Sequence, residues 1–450
     1  MLELICDSLK YNHHCRWSRD DILKLSIRQF RSTVKRAYIR CPFYRELYAS
    51  SGIAYEDLSV LEPSDLPIID KAMVRANFDR IAAMPLHKEP EMEEGEHFRL
   101  LPGIGYLVHT SGSTGKPCSF LYSKGAVTAL EANFVRLSID GGKNAVTFGD
   151  FPIRSLHVAS VGRGYASMLL AQNGLKSYHA KSVIVEASTP LAQWKDKIGD
   201  FSPSYLSGYP SCIELVAEMQ QAGQISLRPK KIITGGEPMG KEEMERLSEL
   251  FGADVINYYG CTESILIGAG ASWYNGIYLL DDLNYLETDE QNRLIITPLA
   301  NRAFPLIRYR MNDVVEGFTK DFVPPLPFTH IDRIAGRVEE LLWLENEKGQ
   351  KDFLHPLFLD DLDVEGIEKY QFEQTGKSGL IIRCIALTDD KSELEKKVRG
   401  QIDPMLRDKN MANVKYRVEF VDKIAPDPVS GKVKMVIKDK ASSEHAAYVN

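Results

Sequence analysis

One short stretch, His109 to Pro117, combines residue types that bind phosphate groups. It contains two glycines, four hydroxyl side chains and Lys116, and it follows the apolar run 104–108. Glycines allow backbone conformations that a Cβ would crowd, and consecutive N–H groups and hydroxyls form a concave donor surface for phosphate oxygens. The Walker A spacing would require a glycine at Thr110. The loop therefore predicts a phosphate site of another kind, although Ser/Gly clusters are also common in solvated loops.

Two further segments carry glycine and polar residues directly after apolar runs. They are Gly235-Gly236-Glu237-Pro238 and the stretch from Tyr258 to Glu263. From about residue 124 to 260, helical segments alternate with short β-branched runs at 182–186, 205–207, 231–234 and 254–257. This alternation predicts parallel strands with helical crossovers. Ligands bind beyond the carboxyl ends of such strands, so these segments are expected to meet in one site.

The remaining chain predicts two other kinds of structure around this α/β region. Helices are expected over residues 20–52 and 71–81, before the loop. Beyond residue 270 the pattern becomes strand-rich, at 276–280, 293–297, 306–309 and 314–318. From about residue 340 we expect a hairpin at 345–349, strands at 380–387 and 416–421 and a charged helix at 391–406. This segment of roughly 110 residues is long enough to form an independent α+β domain.

Composition excludes several classes of protein. The net charge is −7 and spread along 450 residues, which does not indicate a nucleic-acid partner. The seven cysteines contain no Cys-x-x-Cys pair, as is typical of free thiols in a reducing cytosol. No apolar run is long enough to span a membrane, and the N-terminus does not have the pattern of a leader. These features predict a soluble cytoplasmic protein. The group Cys6, His13, His14 and Cys15 matches no zinc spacing and predicts a packed helix.

Several motifs, in one order along nearly the whole chain, resemble the adenylate-forming superfamily of acyl-CoA synthetases, adenylation domains and luciferases. Within it they are most similar to the phenylacetate-CoA ligase branch. Each motif alone is weakly specific, whereas their fixed order is strongly so. The motifs are Pro42 to Arg45, Asp65 to Lys71, Thr110 to Pro117, Gly235 to Pro238, Tyr258 to Glu263, Arg308 to Asp313, Gly336 to Glu340 and Pro426 to Lys432.

This resemblance implies an AMP-forming acid–thiol ligase. A carboxylate would attack the α-phosphorus of ATP to give an acyl- or aryl-adenylate and pyrophosphate, and CoA would then accept the acyl group. Because the carboxylate is already ionised, the first step needs charge stabilisation and positioning rather than a general base. The resemblance implies Lys432, Thr262 and Glu263 as catalytic residues, with Glu263 also binding Mg²⁺. The implied nucleotide-binding residues are Thr110, Ser111, Gly112, Ser113, Thr114, Gly115, Lys116, Gly235, Gly236, Glu237, Pro238, Tyr258, Tyr259, Asp313 and Arg337.

The same resemblance implies an α/β fold with two domains. A large N-terminal domain, residues 1–338, would contain mainly parallel sheets flanked by helices, plus a β-rich subdomain. A small mobile α+β domain, residues 339–450, would carry the catalytic lysine and turn about a hinge at Glu339. The large domain would bind the acid, with Arg163, Tyr165 and Tyr209 as candidate pocket residues.

One segment departs from the phenylacetate branch. Residues 343–356 form a polar stretch where that branch has a short apolar segment, as in divergent members of capsule-locus type. Transfer to an amine, a hydroxyl or the thiol of a separate carrier protein therefore stays an alternative to CoA. A catalytically silent nucleotide-binding protein is a second alternative, which retention of Glu263, Asp313 and Lys432 disfavours. The identity of the acid and the oligomeric state, for which a homodimer is one option, stay open.

Overall fold

A computed structural model describes most of the chain. The described residues are 2–84, 99–101, 103, 105–109, 118–134, 136, 143–144, 150, 152–159, 180–334, 341–355, 359, 362, 364–424 and 435–437. Within them the helices are α1 (Leu2–His14), α2 (Arg19–Arg40), α3 (Pro42–Ser50), α4 (Lys71–Ala76), α5 (Phe78–Ile81), α6 (Lys124–Phe134), α7 (Trp194–Ile198), α8 (Pro210–Gln221), α9 (Lys241–Phe251) and α10 (Lys391–Asp408).

The strands are β1 (Arg99–Leu101), β2 (Gly105–His109), β3 (Ser119–Ser123), β4 (Arg154–Ala159), β5 (Lys181–Glu186), β6 (Tyr205–Gly208), β7 (Lys231–Gly235), β8 (Asp254–Tyr259), β9 (Gly268–Ala271), β10 (Ile277–Leu279), β11 (Asn284–Thr288), β12 (Arg293–Pro298), β13 (Tyr309–Glu316), β14 (Thr329–Ile331), β15 (Arg333–Ile334), β16 (Leu342–Glu345), β17 (Lys351–Leu354), β18 (Ile367–Gln374), β19 (Gly379–Ala386), β20 (Lys415–Phe420) and β21 (Val436–Ile437). This mixture of helices and strands, with parallel pairing from β4 to β8, confirms the predicted α/β class.

An eight-stranded sheet organises the middle of the chain, in the order β14-β10-β9-β8-β7-β6-β4-β5. Strands β5, β4, β6, β7 and β8 pair in parallel, as the alternation predicts, and β8, β9, β10 and β14 pair antiparallel. Every residue of β8 is buried, which is expected of a strand with both faces covered. Because β6, β7 and β8 are neighbours, the residues following them lie at one edge.

Two smaller sheets are formed by strands that come before β4 and after β10 in the sequence. Strands β1, β2 and β3 form an antiparallel sheet, and β11, β12, β13 and β15 form another. The predicted strand at 306–309 is wrong: β13 begins only at Tyr309. Arg308 interrupts the extended chain with φ +51°. Its buried guanidinium bonds Glu287 and the carbonyls of Ser64 and Leu66.

The N-terminal helices are fixed by buried ion pairs. His14 Nδ1 lies 2.6 Å from Asp282 Oδ2, and Arg136 Nη2 lies 3.0 Å from the same carboxylate oxygen. Arg19 at the start of α2 binds Asp281 at 2.7 Å. The expectation of a packed helix around His14 is therefore confirmed. Helix α1 also contributes Leu4 to the main hydrophobic core, which is built from α1–α6, β2, β3 and the strands β8–β14. Strands β4–β7 and helices α7–α9 pack in a second core.

The C-terminal part has a core of its own, built from β16–β20 and α10. The predicted hairpin is present as β16 and β17, with Gly349 at φ +71° in its turn. Strands β20, β19, β18 and β21 form a four-stranded sheet beside α10. The predicted boundary at residues 338 and 339 lies outside the described residues and stays a prediction. Among the described helices, none is both long and apolar enough to cross a membrane.

Candidate functional site

The turn after β7 has a backbone that other residue types would not tolerate. Gly236 has φ +85°, and a Cβ there would lie 3.2 Å from the ring of Tyr209. At Gly235 a Cβ would lie 3.0 Å from the carbonyl oxygen of Tyr258 on β8. Both glycines thus allow the turn to approach its neighbours closely. Tyr209, a predicted acid-pocket residue, lies beside the predicted nucleotide turn.

Glu237 fastens this turn to the start of α8. Its carboxylate accepts hydrogen bonds from the Ser211 backbone N–H and hydroxyl, each at 2.9 Å. Helix α8 begins with Pro210 and has no side-chain cap at Tyr209, so the carboxylate satisfies an N–H that the helix leaves unpaired. His355 Nε2 lies 2.7 Å from the same carboxylate. Nucleotide binding by Glu237 stays a prediction.

The two tyrosines at the end of β8 point to opposite faces, as successive residues of a strand must. Tyr258 packs its ring against Phe134 and donates its hydroxyl to the Phe134 carbonyl at 2.6 Å. Tyr259 instead donates its hydroxyl to Asp313 Oδ2 at 2.8 Å. The side chain of Tyr258 therefore contacts α6, whereas that of Tyr259 contacts Asp313, the predicted ribose-binding carboxylate.

A tight turn after β8 presents Thr262 and Glu263. At Gly260 a Cβ would lie 2.0 Å from the Ile265 carbonyl oxygen, so the chain can fold back only without a side chain here. The Cys261 N–H donates to the Ser264 carbonyl at 3.1 Å and closes the turn. Tyr122 on β3 donates its hydroxyl to the Thr262 carbonyl at 2.7 Å.

Glu263 and Asp313 are each oriented by a tyrosine hydroxyl. Tyr309 donates to Glu263 Oε1 at 2.9 Å, and Tyr259 donates to Asp313 Oδ2 at 2.8 Å. Tyr309 and Asp313 both lie on β13, four residues apart, and the pairing of β13 with β12 shifts register between Arg310 and Val314. The structure therefore brings together residues from two motifs that are separate in the sequence.

Burial determines the protonation states of the side chains around this pair. It raises the pKa values of Tyr259 and Tyr309, and the neighbouring carboxylates Asp313 and Glu263 raise them further. Both hydroxyls therefore keep their protons and can donate. Burial, followed by Glu263, likewise raises the pKa of the Cys261 thiol well above its ordinary value. A protonated thiol is a poor nucleophile, which favours the interpretation of Cys261 as a small packing residue.

The described residues contain no group of three or more His, Cys, Asp or Glu side chains that could hold a metal ion. Glu263 offers one oriented carboxylate on a partly exposed turn. Mg²⁺ is commonly held by one or two carboxylates together with substrate phosphates and water. The residue therefore fits a Mg²⁺ ion that takes most of its ligands from a nucleotide.

The C-terminal part docks close to this site through buried polar side chains that the sequence did not predict. Lys409 Nζ donates to the carbonyls of Ala187 and Thr189 at 3.0 Å each and pairs with Asp352 at 2.9 Å. Asp352 also accepts the Leu191 N–H at 3.0 Å. All these groups lie between β5, α7 and the β16–β17 hairpin, and Phe353 enters the core beside Trp194. No local pattern indicated them, because Lys409 and Asp352 resemble surface charges in the sequence.

Other predicted site residues lie outside the described part of the chain and stay predictions. They are Thr110, Ser111, Gly112, Ser113, Thr114, Gly115, Lys116, Arg163, Tyr165, Arg337, Glu339 and Lys432. Two neighbours of Lys432 are described: the Met435 carbonyl accepts the Phe372 N–H at 2.7 Å, and Val436 pairs with β18. The described edge strand β21 thus begins four residues after Lys432 in the sequence.

Comparison with known proteins connects these features to a family. Residues 83–290 match the model of the AMP-binding enzyme family. The chain is 26% identical over 362 residues to a phenylacetate-coenzyme A ligase from Escherichia coli (strain K12), covering 72% of this chain and 73% of the relative. It is 22% identical over 436 residues to protein CapK from Staphylococcus aureus, covering 93% of this chain and 90% of the relative.

The fold also matches a solved structure. A structure of 2-hydroxyisobutyryl-CoA ligase in complex with 2-HIB-AMP and CoA, in the thioesterification state, aligns with a TM-score of 0.60 at 20% identity. The alignment covers 95% of this chain and 91% of that chain. At this level of identity the likeness establishes the fold.

Proposed function

This chain is a divergent member of the adenylate-forming superfamily, and from that premise we propose that it activates a carboxylic acid with ATP and transfers the acyl group to CoA. In the first step a carboxylate oxygen bonds to the α-phosphorus of ATP, and the bond from that phosphorus to the pyrophosphate oxygen breaks. In the second step the CoA sulfur bonds to the acyl carbon, AMP leaves and the thiol proton passes to solvent.

The observation that best supports this proposal is the orientation of Glu263 and Asp313 by Tyr309 and Tyr259, at 2.9 and 2.8 Å. Asp313 can accept the ribose hydroxyls of the nucleotide, since an ionised carboxylate has several acceptor positions. Glu263 supplies a hard oxygen for Mg²⁺, which when bound neutralises phosphate charge. In this proposal the backbone of the turn at Gly235 and Gly236 contacts the adenine.

The remaining roles follow from the motifs. The loop from Thr110 to Lys116 holds the phosphates that leave as pyrophosphate, and Lys432 stabilises the charge that develops between carboxylate and α-phosphate. Arg337 holds the ribose or phosphate, and Glu339 is the hinge. We place the reaction in the cytoplasm, because the seven cysteines, all within the described residues, form no disulfide.

Exchange of labelled pyrophosphate into ATP, dependent on a carboxylic acid, tests the first step. We expect exchange with at least one acid in a panel of aryl, fatty, amino and hydroxy acids. Absence of exchange with every acid, in protein that binds ATP, would contradict the proposal.

Lys432→Ala tests the assignment of the catalytic lysine. Because loss of one group that stabilises the transition state costs about 10²–10³-fold in rate, exchange should fall by that amount. Thioester formation from supplied acyl-adenylate should largely persist. Lys415→Ala, at an exposed position of β20, is the control and should leave both steps unchanged. Equal loss of both steps in Lys432→Ala would refute the assignment.

A second candidate function replaces CoA by an amine, a hydroxyl or a carrier-protein thiol. Most of the polar segment 343–356 belongs to the hairpin β16–β17, which ends at Leu354. The likeness to protein CapK extends over more of the chain than that to the E. coli ligase. Mass analysis of products formed with each acceptor separates the two candidates. Product formed only with CoA supports the first.

A further inference from the structure

Three segments that are distant in the sequence meet at the turn after β7. Glu237 comes from the turn, Ser211 from the start of α8 and His355 from the end of the β16–β17 hairpin. His355 Nε2 lies 2.7 Å from Glu237 Oε1 and 3.2 Å from Ser211 Oγ. The His355 side chain is fully buried and that of Glu237 is 7% exposed, so water does not screen the contact.

The cluster contains a serine, a histidine and a glutamate, but its geometry is not that of a nucleophilic triad. In a triad one ring nitrogen faces the nucleophile and the other faces the carboxylate. Here one nitrogen, Nε2, faces both Ser211 and Glu237, and the Ser211 hydroxyl donates directly to the carboxylate at 2.9 Å. The hydroxyl proton is thus directed at Glu237, and the arrangement positions groups without activating a nucleophile.

The imidazole also packs against the ring of Tyr209, with the ring centroids 4.8 Å apart. That ring also lies against the turn, since a Cβ at Gly236 would lie 3.2 Å from Tyr209. His355 therefore contacts the turn in two ways, through the Glu237 carboxylate and through the Tyr209 ring. Its position depends in turn on the hairpin, whose residues Asp352 and Phe353 are buried against α7.

We propose that His355 is a positioning residue that couples docking of the C-terminal part to the shape of the Gly235–Pro238 turn. Acting through Glu237, it sets the turn in the geometry that binds the nucleotide. This inference rests on the proposed function, in which the turn contacts the adenine. Because the turn would contact the nucleotide in both the ground state and the transition state, its displacement should weaken binding more than it slows chemistry.

The test compares His355→Leu, His355→Gln and Glu237→Gln by pyrophosphate exchange. His355→Leu fills the space of the imidazole but removes the N–H that donates to Glu237. We expect the KM for ATP to rise about tenfold, the loss typical of one charge-assisted hydrogen bond, and kcat to stay within about twofold of the wild-type value. His355→Gln returns an N–H near the position of Nε2 and should recover most of the loss. Adding His355→Leu to Glu237→Gln should cost little more than Glu237→Gln alone, because His355 acts through Glu237.

His330→Leu is the matched control. His330 is another buried histidine of the central sheet region, and its Nε2 donates to the Asn275 carbonyl at 2.7 Å. It should leave the KM for ATP unchanged. An equal rise in both leucine variants, or a fall in kcat alone, would overturn the proposal.

Direct binding of AMP, measured by calorimetry, separates failure of this inference from failure of the proposed function. If the wild type exchanges no pyrophosphate but binds AMP more tightly than His355→Leu does, the function fails and the inference holds. If all variants bind AMP equally, the inference fails whatever the exchange assay gives. Should His355→Leu not fold, His355→Asn, whose shorter side chain withdraws from Glu237, carries the same comparison.

Discussion

Removing the charge of Lys409 should destabilise the docked C-terminal part severely. Its ammonium group makes three buried contacts, to two carbonyls at 3.0 Å and to Asp352 at 2.9 Å, and the two side chains are 1% and 2% exposed. Burial lowers the pKa of Lys409, against the opposing effect of Asp352. Lys409→Met leaves Asp352 as an uncompensated buried charge. Breaking a buried pair in this way costs about 3–5 kcal/mol.

The double variant Lys409→Met with Asp352→Asn isolates the charge effect. The amide oxygen of asparagine can still accept the Leu191 N–H, and no net charge remains buried. Because the two positions are in contact, we expect the double variant to be more stable than Lys409→Met alone by about 1–3 kcal/mol. Arg333→Met, which removes an exposed pair with Glu316, is the control and should cost at most about 1 kcal/mol.

Urea unfolding, monitored by tryptophan fluorescence, measures these differences in the region where the C-terminal part docks. The rings of Trp194 and Trp343 lie 5.9 and 5.6 Å from Phe353, within the docked region. The free energy of unfolding should fall in the order wild type, double variant, Lys409→Met. A loss below about 1 kcal/mol in Lys409→Met, or a double variant no more stable than Lys409→Met, would refute the reasoning.

Two further predictions concern Tyr309 and His157. Tyr309→Phe removes the hydroxyl that orients Glu263 and should lower kcat for pyrophosphate exchange about tenfold, the loss of one hydrogen bond to a charged group. The control is Tyr278→Phe, which removes a hydroxyl that donates to the Pro324 carbonyl at 2.6 Å and should leave kcat unchanged. Equal loss of kcat in both variants would contradict the assignment. Burial lowers the pKa of His157 to about 4, so between pH 4 and 6.5 the unfolded chain binds the proton that the folded chain excludes. Stability is then complete above about pH 6.5 and should be lower by about 2 kcal/mol at pH 5, as measured by urea midpoints. His157→Gln should flatten this dependence, and an unchanged pH profile would contradict it.

The sequence predicted the location of the site better than its internal contacts. Gly235, Gly236 and Glu263 were found because glycines and polar residues after buried strands indicate a ligand edge, and the structure places them there. The partners of Glu237 could not be predicted, since Ser211 and His355 lie 26 and 118 residues away from it along the chain and no local spacing connects them.

Two other positions show what local pattern can and cannot predict. Tyr309 was missed although its spacing from Asp313 on a strand, four residues, predicts a shared face. The strand expected at 306–309 failed for a different reason. Arg308 adopts a left-handed backbone, φ +51°, which its buried bonds to distant segments stabilise and its residue type does not favour.

The buried anchors of the first two helices have a consequence for synthesis of the chain. His14 and Arg19 reach their acidic partners Asp282 and Asp281 across 268 and 262 residues. At about 5–20 residues per second, the ribosome adds those partners on the order of 10–50 s after the helices. During that interval the apolar faces of α1 and α2 lack the strands they pack against, and the side chains of His14 and Arg19 lack Asp282 and Asp281. The N-terminal helices therefore reach their final packing only after β10 has been made, while the C-terminal part of the chain is still being synthesised.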